Sequence, residues 1–190
     1  MDTRLHQLQR ETDGLTRRPI VVALGSNVGD RTSHLRFATS RLHDVLTNLL
    51  VSPFIETVPE GVPHQPLFLN GAVLGWSADE PGHLLEALLT IEHERGRERL
   101  SVGAPRTLDL DLILVGDLVL EWPGLSLPHP RFRDRRFVLE PLASIAPDLV
   151  DPVTNLTISQ LLSDFDCVSY GGIHNIDSTV SQIIAHILVS

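Results

Sequence analysis

The sequence predicts an α+β domain in which helices pack on an antiparallel sheet. Three observations support this fold class: apolar runs of strand length, two segments with apolar residues at helical spacing, and turn residues between them. The segments follow one another in the order β-α-β-β-α-β, with extra elements after the last strand. This order is typical of a ferredoxin-like α+β sandwich with helices on one face of an antiparallel sheet.

The first half of the pattern begins with a short buried-type strand over residues 20–24, which ends at the Gly- and Asp-containing turn of residues 25–30. Two further strands, over residues 51–57 and 67–76, are separated by a loop whose prolines and glycine forbid regular pairing. Between the turn and these strands, residues 31–46 are predicted to be helical, because apolar side chains recur there at helical spacing: Leu35, Ala38, Leu42, Val45 and Leu46.

The second half begins with a helix. Pro81 is expected in its first turn, and Gly96 is expected as the C-cap residue at its end. The strand over residues 109–115 follows and leads into a Gly-Asp turn. A short strand over residues 118–121 comes next. The apolar run at residues 137–140 predicts the last strand.

Two carboxylates, Asp109 and Asp111, alternate along the strand over residues 109–115. Side chains two apart in a strand point to the same face, so the leucines at 108, 110 and 112 face the other way. Hard oxygen ligands on one face suit Mg²⁺, which takes one or two carboxylates together with water and substrate phosphate. The alternative interpretation of the pair is a solvated strand edge.

Arginine supplies all 15 basic residues of the chain, which contains no lysine. The lack of lysine excludes a phosphate-binding loop ending in Gly-Lys-Ser/Thr, a Schiff-base lysine and a Ser-x-x-Lys acyl-transfer pair. The alternative explanation for part of this bias is the codon composition of the source genome. In a chain of net charge −9, however, a local concentration of arginines favours a small polyanionic ligand over a nucleic acid. The eight arginines concerned are Arg95, Arg97, Arg99, Arg106, Arg131, Arg133, Arg135 and Arg136.

The length of 190 residues fits one domain, which we place at residues 19–166. We expect residues 1–18 to be a polar, flexible N-terminal extension and residues 167–190 to be a C-terminal extension of unknown role. A single cysteine allows no intramolecular disulfide, which fits a reducing, cytoplasmic compartment. No apolar run reaches the roughly 20 residues that span a bilayer. The histidines form no H-x-x-x-H pair, so we expect no zinc site.

Two further side chains are candidates for a binding role. Glu92 lies on or beside the apolar stripe of the second helix, where a carboxylate needs a partner. That partner is either Arg95 or Arg99 on the same helical edge, or a ligand hydroxyl at the rim of a site. His129 is held between two prolines, in a rigid loop beside several arginines, so it is either a structural histidine or a phosphate donor.

Five motifs occur in one order across roughly residues 20–150, and together they are specific although each alone is weak. They are Ala23-Leu24-Gly25-Ser26-Asn27-Val28-Gly29-Asp30; Glu56-Thr57-x-Pro59-x-Gly61 leading to Gln65 and Phe68-Leu69-Asn70; Ile91-Glu92 to Gly96-Arg97-x-Arg99; Pro105-Arg106-Thr107-Leu108-Asp109-Leu110-Asp111; and Pro128-His129-Pro130-Arg131 to Arg135-Arg136-Phe137-Val138-Leu139. With these motifs the chain resembles the 6-hydroxymethyl-7,8-dihydropterin pyrophosphokinases of folate biosynthesis.

The resemblance implies transfer of the β,γ-diphosphate of ATP to the pterin hydroxymethyl group, with release of AMP and with two Mg²⁺ ions bridging the phosphates. It implies that Asp109 and Asp111 are metal ligands and that Arg97 and Arg106 act on the transferring phosphates. The implied nucleotide contacts are Glu92, Arg99, His129 and Arg135. The implied pterin contacts are Asn70, the loop through Thr57, Pro59 and Gly61, and two stacking rings, Phe68 and Phe137.

Phosphoryl-type transfer needs alignment and charge neutralisation more than covalent catalysis, so metals and arginines are expected to supply most of the acceleration. No general base is evident in the sequence. The chain departs from the family pattern at residues 100–104, where relatives usually carry a basic residue and Trp-Gly before the Pro-Arg. This segment resembles the family's flexible lid. We expect its altered sequence to affect lid closure, and therefore turnover, more than it affects substrate binding.

Two rival functions remain open at this point. One is a nucleotide- or pterin-binding module with weakened catalysis, which the altered lid favours. The other is a different two-metal phosphotransfer enzyme or nuclease built on the Asp-x-Asp pair, against which the net charge of −9 and the few aromatic residues argue. Our expectation is a monomer that binds ATP and a pterin as small-molecule substrates and that has no nucleic-acid or membrane partner.

Overall fold

The computed structural model describes residues 16–59, 65–96 and 104–167. Three of the predicted site residues, Gly61, Arg97 and Arg99, lie outside these ranges, as do most of the two predicted extensions and residues 100–103 of the lid-like segment. None of the helices in the described ranges has the length and apolar character that crossing a bilayer requires.

The centre of the fold is a five-stranded antiparallel sheet with the strand order β2-β4-β1-β5, and β3 pairs with β4 beside β2. A separate hairpin, β6–β7, follows the sheet. The strands are β1 Arg18–Ser26, β2 Thr47–Val51, β3 Ile55–Thr57, β4 Phe68–Ser77, β5 Asp109–Val115, β6 Leu120–Trp122 and β7 Leu125–Leu127. This arrangement confirms the predicted ferredoxin-like sandwich.

Helices cover both faces of the sheet and not only the one face that the sequence pattern predicts, because two helices that follow the hairpin pack on the second face. On one face lie α1, Arg31–Leu42, and α2, Pro81–Glu94. On the other lie α3, Arg136–Ile145, and the helical residues 158–167, here called α4. The buried side chains of β1 alternate between the two cores, with Val22 and Leu24 under α1 and α2 and Val21 and Ala23 under α3 and α4.

The first two helices begin and end at residues that suit helix termini. Asp30 caps α1 by accepting a hydrogen bond of 2.9 Å from the backbone N–H of Ser33. Pro81 occupies the first turn of α2, and Gly96 follows that helix with a φ of 76°, a left-handed conformation that glycine adopts readily. Helix α1 ends at Leu42 rather than at residue 46, although Leu46 remains buried.

The last predicted strand is wrong, because residues 137–140 lie within α3. Val138, Leu139 and Leu142 are fully buried and share one face of this helix, a helical spacing that the short apolar run concealed. Pro141 lies inside the helix, where its missing N–H normally argues for a break.

The strand predicted over residues 51–57 is instead two strands, β2 and β3. They are interrupted at Pro53, which has no N–H to donate to the ladder. At this break Ser52 accepts a hydrogen bond of 2.9 Å from the N–H of Ala72 through its hydroxyl oxygen.

Candidate functional site

Strand β5 places the two aspartates at one end of the sheet. Asp109 pairs with Gly25 and Asp111 pairs with Ala23 in the register with β1. The leucines that alternate with them are buried in the core beneath α1 and α2, so both carboxylates lie on the opposite face of the strand. This is the alternation that the sequence predicts.

Each carboxylate of the acid pair has an arginine partner. Arg106 forms an ion pair with Asp109, and Arg135 donates to Asp111 Oδ2 at 3.1 Å. The Asp111 side chain retains 34% of its exposure and that of Asp109 retains 18%. The guanidinium of Arg135 also lies 5.6 Å from the ring centroid of Phe137. Two arginines therefore balance the charge of the two aspartates.

Within the described ranges, no three side chains of His, Cys, Asp or Glu converge into a ready-made metal cage. The acid pair still fits Mg²⁺, because this ion takes one or two carboxylates and completes its shell with water and substrate phosphate oxygens. Both carboxylates line open clefts, where such additional ligands have room.

Two clefts meet at the acid pair. The larger has a volume of about 790 Å³ and extends between α2 and the β6–β7 hairpin. The smaller, of about 300 Å³, extends toward β3, β4 and α3. Both are lined by Ala104, Arg106, Asp109 and Asp111. Molecules bound in the two clefts would therefore share one wall, made of two carboxylates and a guanidinium.

The smaller cleft contains the described residues that the family resemblance assigns to the pterin. Thr57, Pro59, Phe68, Asn70 and Phe137 all line it. Asn70 is only 4% exposed, and its amide nitrogen donates to Thr57 Oγ1 at 2.7 Å. This contact across the β3–β4 pair orients the Asn70 amide, one edge of which remains available to a ligand in the cleft.

The larger cleft contains Glu92 and His129. Glu92 is 2% exposed, and its Oε1 accepts a hydrogen bond of 2.7 Å from the backbone N–H of Leu110. The sequence analysis expected an arginine on the same helix or a ligand hydroxyl as the partner of Glu92, and it did not predict this backbone contact. The Arg95 guanidinium turns toward α1, where it donates to His34 Nδ1 and Ser33 Oγ at 2.8 Å and 2.7 Å.

His129 is arranged to donate a hydrogen bond as a neutral ring. Its Nδ1 accepts a hydrogen bond of 3.2 Å from the backbone N–H of Arg131, which leaves Nε2 to carry the proton. Burial, the largest influence, lowers the pKa of His129 below its usual value although the nearby Asp111 charge acts in the opposite direction. A neutral donor beside the acid pair suits a phosphate oxygen.

Asn27 was not among the sequence candidates, although it joins three parts of the site. It is 1% exposed, and its Oδ1 accepts from the backbone N–H of Arg106 at 2.7 Å while its own N–H donates to the Arg106 carbonyl at 3.0 Å. Its amide nitrogen donates to Gln65 Oε1 at 2.9 Å. Its position directly after Gly25-Ser26, at the end of β1, was the feature of the sequence that could have pointed to it. Arg131 lines the smaller cleft; the sequence analysis counted it among the clustered arginines but gave it no role of its own in the site.

An α+β sandwich with an arginine-paired acid pair where two clefts meet defines an enzyme that brings together two small molecules, one of them a polyanion. The comparisons with known proteins agree. The model of the 7,8-dihydro-6-hydroxymethylpterin-pyrophosphokinase family matches residues 21–147. The chain therefore belongs to this family.

Named relatives share much of the sequence. The chain is 43% identical over 152 residues to a 2-amino-4-hydroxy-6-hydroxymethyldihydropteridine pyrophosphokinase from Synechocystis, an alignment that covers 78% of this chain and 77% of that one. It is 42% identical over 141 residues to the enzyme of the same name from Bacillus subtilis, with coverages of 73% and 84%.

A solved structure supports the fold. The crystal structure of wild-type Plasmodium falciparum HPPK-DHPS with SDX-DHP matches with a TM-score of 0.67 at 14% identity. The match covers 86% of this chain but 47% of that one, so this chain spans about half the length of the Plasmodium protein.

Proposed function

We propose that the chain transfers the diphosphate group of ATP to 6-hydroxymethyl-7,8-dihydropterin and releases AMP, a step of folate biosynthesis. The observation that carries this proposal is the common wall of the two clefts, made by Arg106, Asp109 and Asp111. ATP in the larger cleft and the pterin in the smaller would bring their reacting groups together at this wall.

In this reaction the hydroxymethyl oxygen of the pterin attacks the β-phosphorus of ATP. The bond between that phosphorus and the oxygen bridging to the α-phosphate breaks, AMP leaves, and the hydroxyl proton is released to solvent or to a nearby acceptor. Such a transfer needs two aligned reactants and neutralised phosphate charge, not a covalent intermediate on the protein. Arg106 is suited to that role, since its planar guanidinium can donate two hydrogen bonds to phosphate oxygens.

Asp109 and Asp111 are the residues that would hold Mg²⁺, and we propose two ions, as in the family. The bound ions would supply positive charge that neutralises and orients the phosphate oxygens. The contribution of the chain is the fixed spacing of the two carboxylates along β5 and their pairing with arginines.

In the smaller cleft, which Phe68, Asn70 and Phe137 line, the two rings would stack on a flat bicycle and the Asn70 amide would offer a donor and an acceptor to its edge. Thr57 holds this amide in place. The loop through Pro59 to Gly61 would complete the pterin contacts.

In the larger cleft, the Nε2–H of His129 would donate to a phosphate oxygen of ATP. Arg135, a predicted nucleotide contact, lines the smaller cleft instead, where its guanidinium would contribute positive charge beside Asp111. Glu92 would act as a nucleotide contact at the rim, in addition to its backbone contact with β5. The family resemblance adds Arg97, acting on the transferring phosphates, and Arg99, contacting the nucleotide.

The decisive experiment measures AMP from ATP and Mg²⁺, with and without 6-hydroxymethyl-7,8-dihydropterin. Pterin-dependent AMP is expected. Formation of ADP would indicate ordinary phosphoryl transfer, and nucleotide binding without any product would favour a binding module. Asp109→Asn and Asp111→Asn should each lower kcat by about a hundredfold or more, whereas Asp117→Asn, an exposed carboxylate in the turn after β5, should not. Full Mg²⁺-dependent turnover in both site variants would contradict the metal assignment.

We further propose that the chain acts as a cytoplasmic monomer. Sedimentation of the purified chain tests the oligomeric state, and fractionation of the source cells tests the compartment. A stable dimer, or recovery in the membrane fraction, would contradict this proposal.

A further inference from the structure

The larger cleft changes in character along its length. Its end at the acid pair is polar and charged, with Arg106, Asp109, Asp111 and His129. Its remaining walls include apolar side chains from α2 and from the β6–β7 hairpin: Leu85, Leu89, Trp122 and Leu125. A ligand that fits such a cleft has an anionic end and a flat, apolar end, as a nucleotide does.

Trp122 is unusually exposed for a large aromatic side chain. It is 54% exposed, whereas Trp76, the other tryptophan of the chain, is 3% exposed in the core under α3. Leu89, on α2, is also exposed, at 37%, and lines the same cleft. Apolar groups that remain open to water around a concave surface mark a place where a ligand covers them.

The hairpin gives Trp122 a fixed position. Trp122 pairs with Leu125 in the β6–β7 register, and Leu125 and Leu127 are buried in the core beneath α1 and α2. Across the hairpin, Ser126 Oγ donates to Glu121 Oε1 at 2.5 Å. The exposed indole therefore lies on β6, and the paired strand β7 is fixed in the core. A flat ring of a ligand can stack on this indole without a large rearrangement of the hairpin.

We propose that Trp122 is the side chain on which the adenine ring of ATP stacks, and that it determines how strongly the larger cleft prefers a nucleotide over a simple polyphosphate. This inference rests on the proposed function, which places ATP in that cleft. Stacking of a base on an aromatic side chain strengthens binding by about 10-fold to 100-fold, because one face of the base and one face of the side-chain ring are removed from water.

Fluorescence tests the stacking directly, since the chain has two tryptophans of opposite exposure. A non-hydrolysable ATP analogue with Mg²⁺ should quench the emission of Trp122 and protect it from iodide. Inorganic tripolyphosphate, which has the charge and lacks the base, should do neither. In Trp122→Phe the nucleotide-dependent change should disappear, because buried Trp76 does not contact the ligand. An unchanged response in Trp122→Phe would overturn the proposal.

Affinity provides the second measurement. Trp122→Ala should weaken binding of the ATP analogue by about 10-fold to 100-fold and leave binding of tripolyphosphate unchanged, while Trp122→Tyr should retain most of the affinity. Val119→Ala is the matched control, because Val119 is 63% exposed just before β6 and does not line the cleft. Equal losses for the analogue and for tripolyphosphate would indicate a structural role and contradict the proposal.

The outcome also separates this inference from the proposed function. In Trp122→Ala, KM for ATP should rise while kcat at saturating ATP stays close to that of the unmodified chain. Pterin-dependent AMP formation together with unchanged analogue affinity in Trp122→Ala would reject the stacking role and keep the pyrophosphokinase activity. Quenching by the ATP analogue but not by tripolyphosphate, without any AMP formation, would support the stacking role and reject the pyrophosphokinase activity.

Discussion

The backbone N–H of Leu110 donates a hydrogen bond of 2.7 Å to Oε1 of Glu92, a side chain that is almost completely buried. Leu110 is the residue between Asp109 and Asp111, so this contact ties the middle of the acid pair to helix α2. The position of the two carboxylates therefore depends on a helix as well as on the pairing of β5 with β1.

Replacing Glu92 should destabilise the fold. In Glu92→Ala the buried N–H of Leu110 loses its acceptor, which should lower the free energy of unfolding by about 1–3 kcal/mol in a urea titration. Glu92→Gln keeps an acceptor oxygen and should lose less. Glu86→Ala, an exposed position on the same helix, should change the value by no more than about 0.5 kcal/mol. Equal effects at positions 92 and 86 would show that the contact with Leu110 contributes nothing.

Gly25 is expected to be required for pterin binding. A Cβ at this position would lie 3.0 Å from Asn70 Oδ1 and 3.8 Å from the Phe68 ring, so Gly25→Ala must displace the Asn70 amide. We expect KM for the pterin to rise about tenfold or more, because small misplacements of binding groups are costly. Steady-state kinetics at saturating ATP measures this.

The control for Gly25→Ala is Gly82→Ala on α2, where an added Cβ meets no atom within 4 Å. This change should leave KM unaltered and should stabilise the helix by up to about 1 kcal/mol. A normal KM in Gly25→Ala would mean that the cleft tolerates a shifted Asn70.

His34 should make stability depend on pH. Burial, and then the adjacent Arg95 charge, lower the pKa of His34 below its usual value, and its Nδ1 accepts a hydrogen bond from Arg95. The unfolded chain therefore binds a proton at a higher pH than the folded chain does. Stability should be fully present above about pH 6.5 and should decrease as the pH falls through the lowered pKa.

Urea titrations between pH 7.5 and pH 5 measure this dependence. His129 also has a lowered pKa and acts in the same direction, so the slope should become smaller in His34→Gln without disappearing. His83→Gln, at an exposed position on α2, should leave the slope unchanged. Identical slopes in the His34 and His83 variants would contradict the role of His34.

Arg133 and Asp151 should form a pair that matters for folding. Asp151 is fully buried and accepts two hydrogen bonds of 2.7 Å from Arg133. Although burial raises the pKa of Asp151, the hydrogen bonds from Arg133, Thr154 and the Val153 N–H outweigh it and lower that pKa. Arg133→Ala leaves a buried carboxylate without its cation and should cost about 3 kcal/mol of stability in thermal or urea unfolding.

Arg136→Ala is the comparison for this pair. The partners of Arg136, Glu140 and Asp166, are more exposed than Asp151, so its loss should cost no more than about 1 kcal/mol. Similar costs at positions 133 and 136 would show that the burial of Asp151 does not amplify the interaction.

The periodic segments of this fold could be predicted from sequence, and the irregular ones could not. β4 and α2 have long apolar patterns with clear turn residues, and the structure has them nearly as predicted, while β1 extends at both ends beyond the predicted residues 20–24. Residues 137–140 were mistaken for a strand because three successive apolar residues, Phe137, Val138 and Leu139, are too few to distinguish a strand period from a helical one. Packing against the sheet decided in favour of a helix there.

The site divides in a similar way. The acid pair was predictable because strand alternation alone places both carboxylates on one face. Arg106 is only three residues from its partner Asp109, but the pairing of Arg135 with Asp111, the bridging role of Asn27 and the exposure of Trp122 depend on which distant segments come together. Spacing along the chain carries no information on such contacts.

The common wall of the two clefts belongs to β5 and the segment just before it, whereas the remaining walls come from β1, the β3–β4 region, α2, the β6–β7 hairpin and the segment from this hairpin into α3. Substitutions in the hairpin or beside β3 can therefore change which molecules are recognised without disturbing the groups that act on phosphate. Selectivity and chemistry are thus carried by different elements of the chain, so one can change while the other is kept.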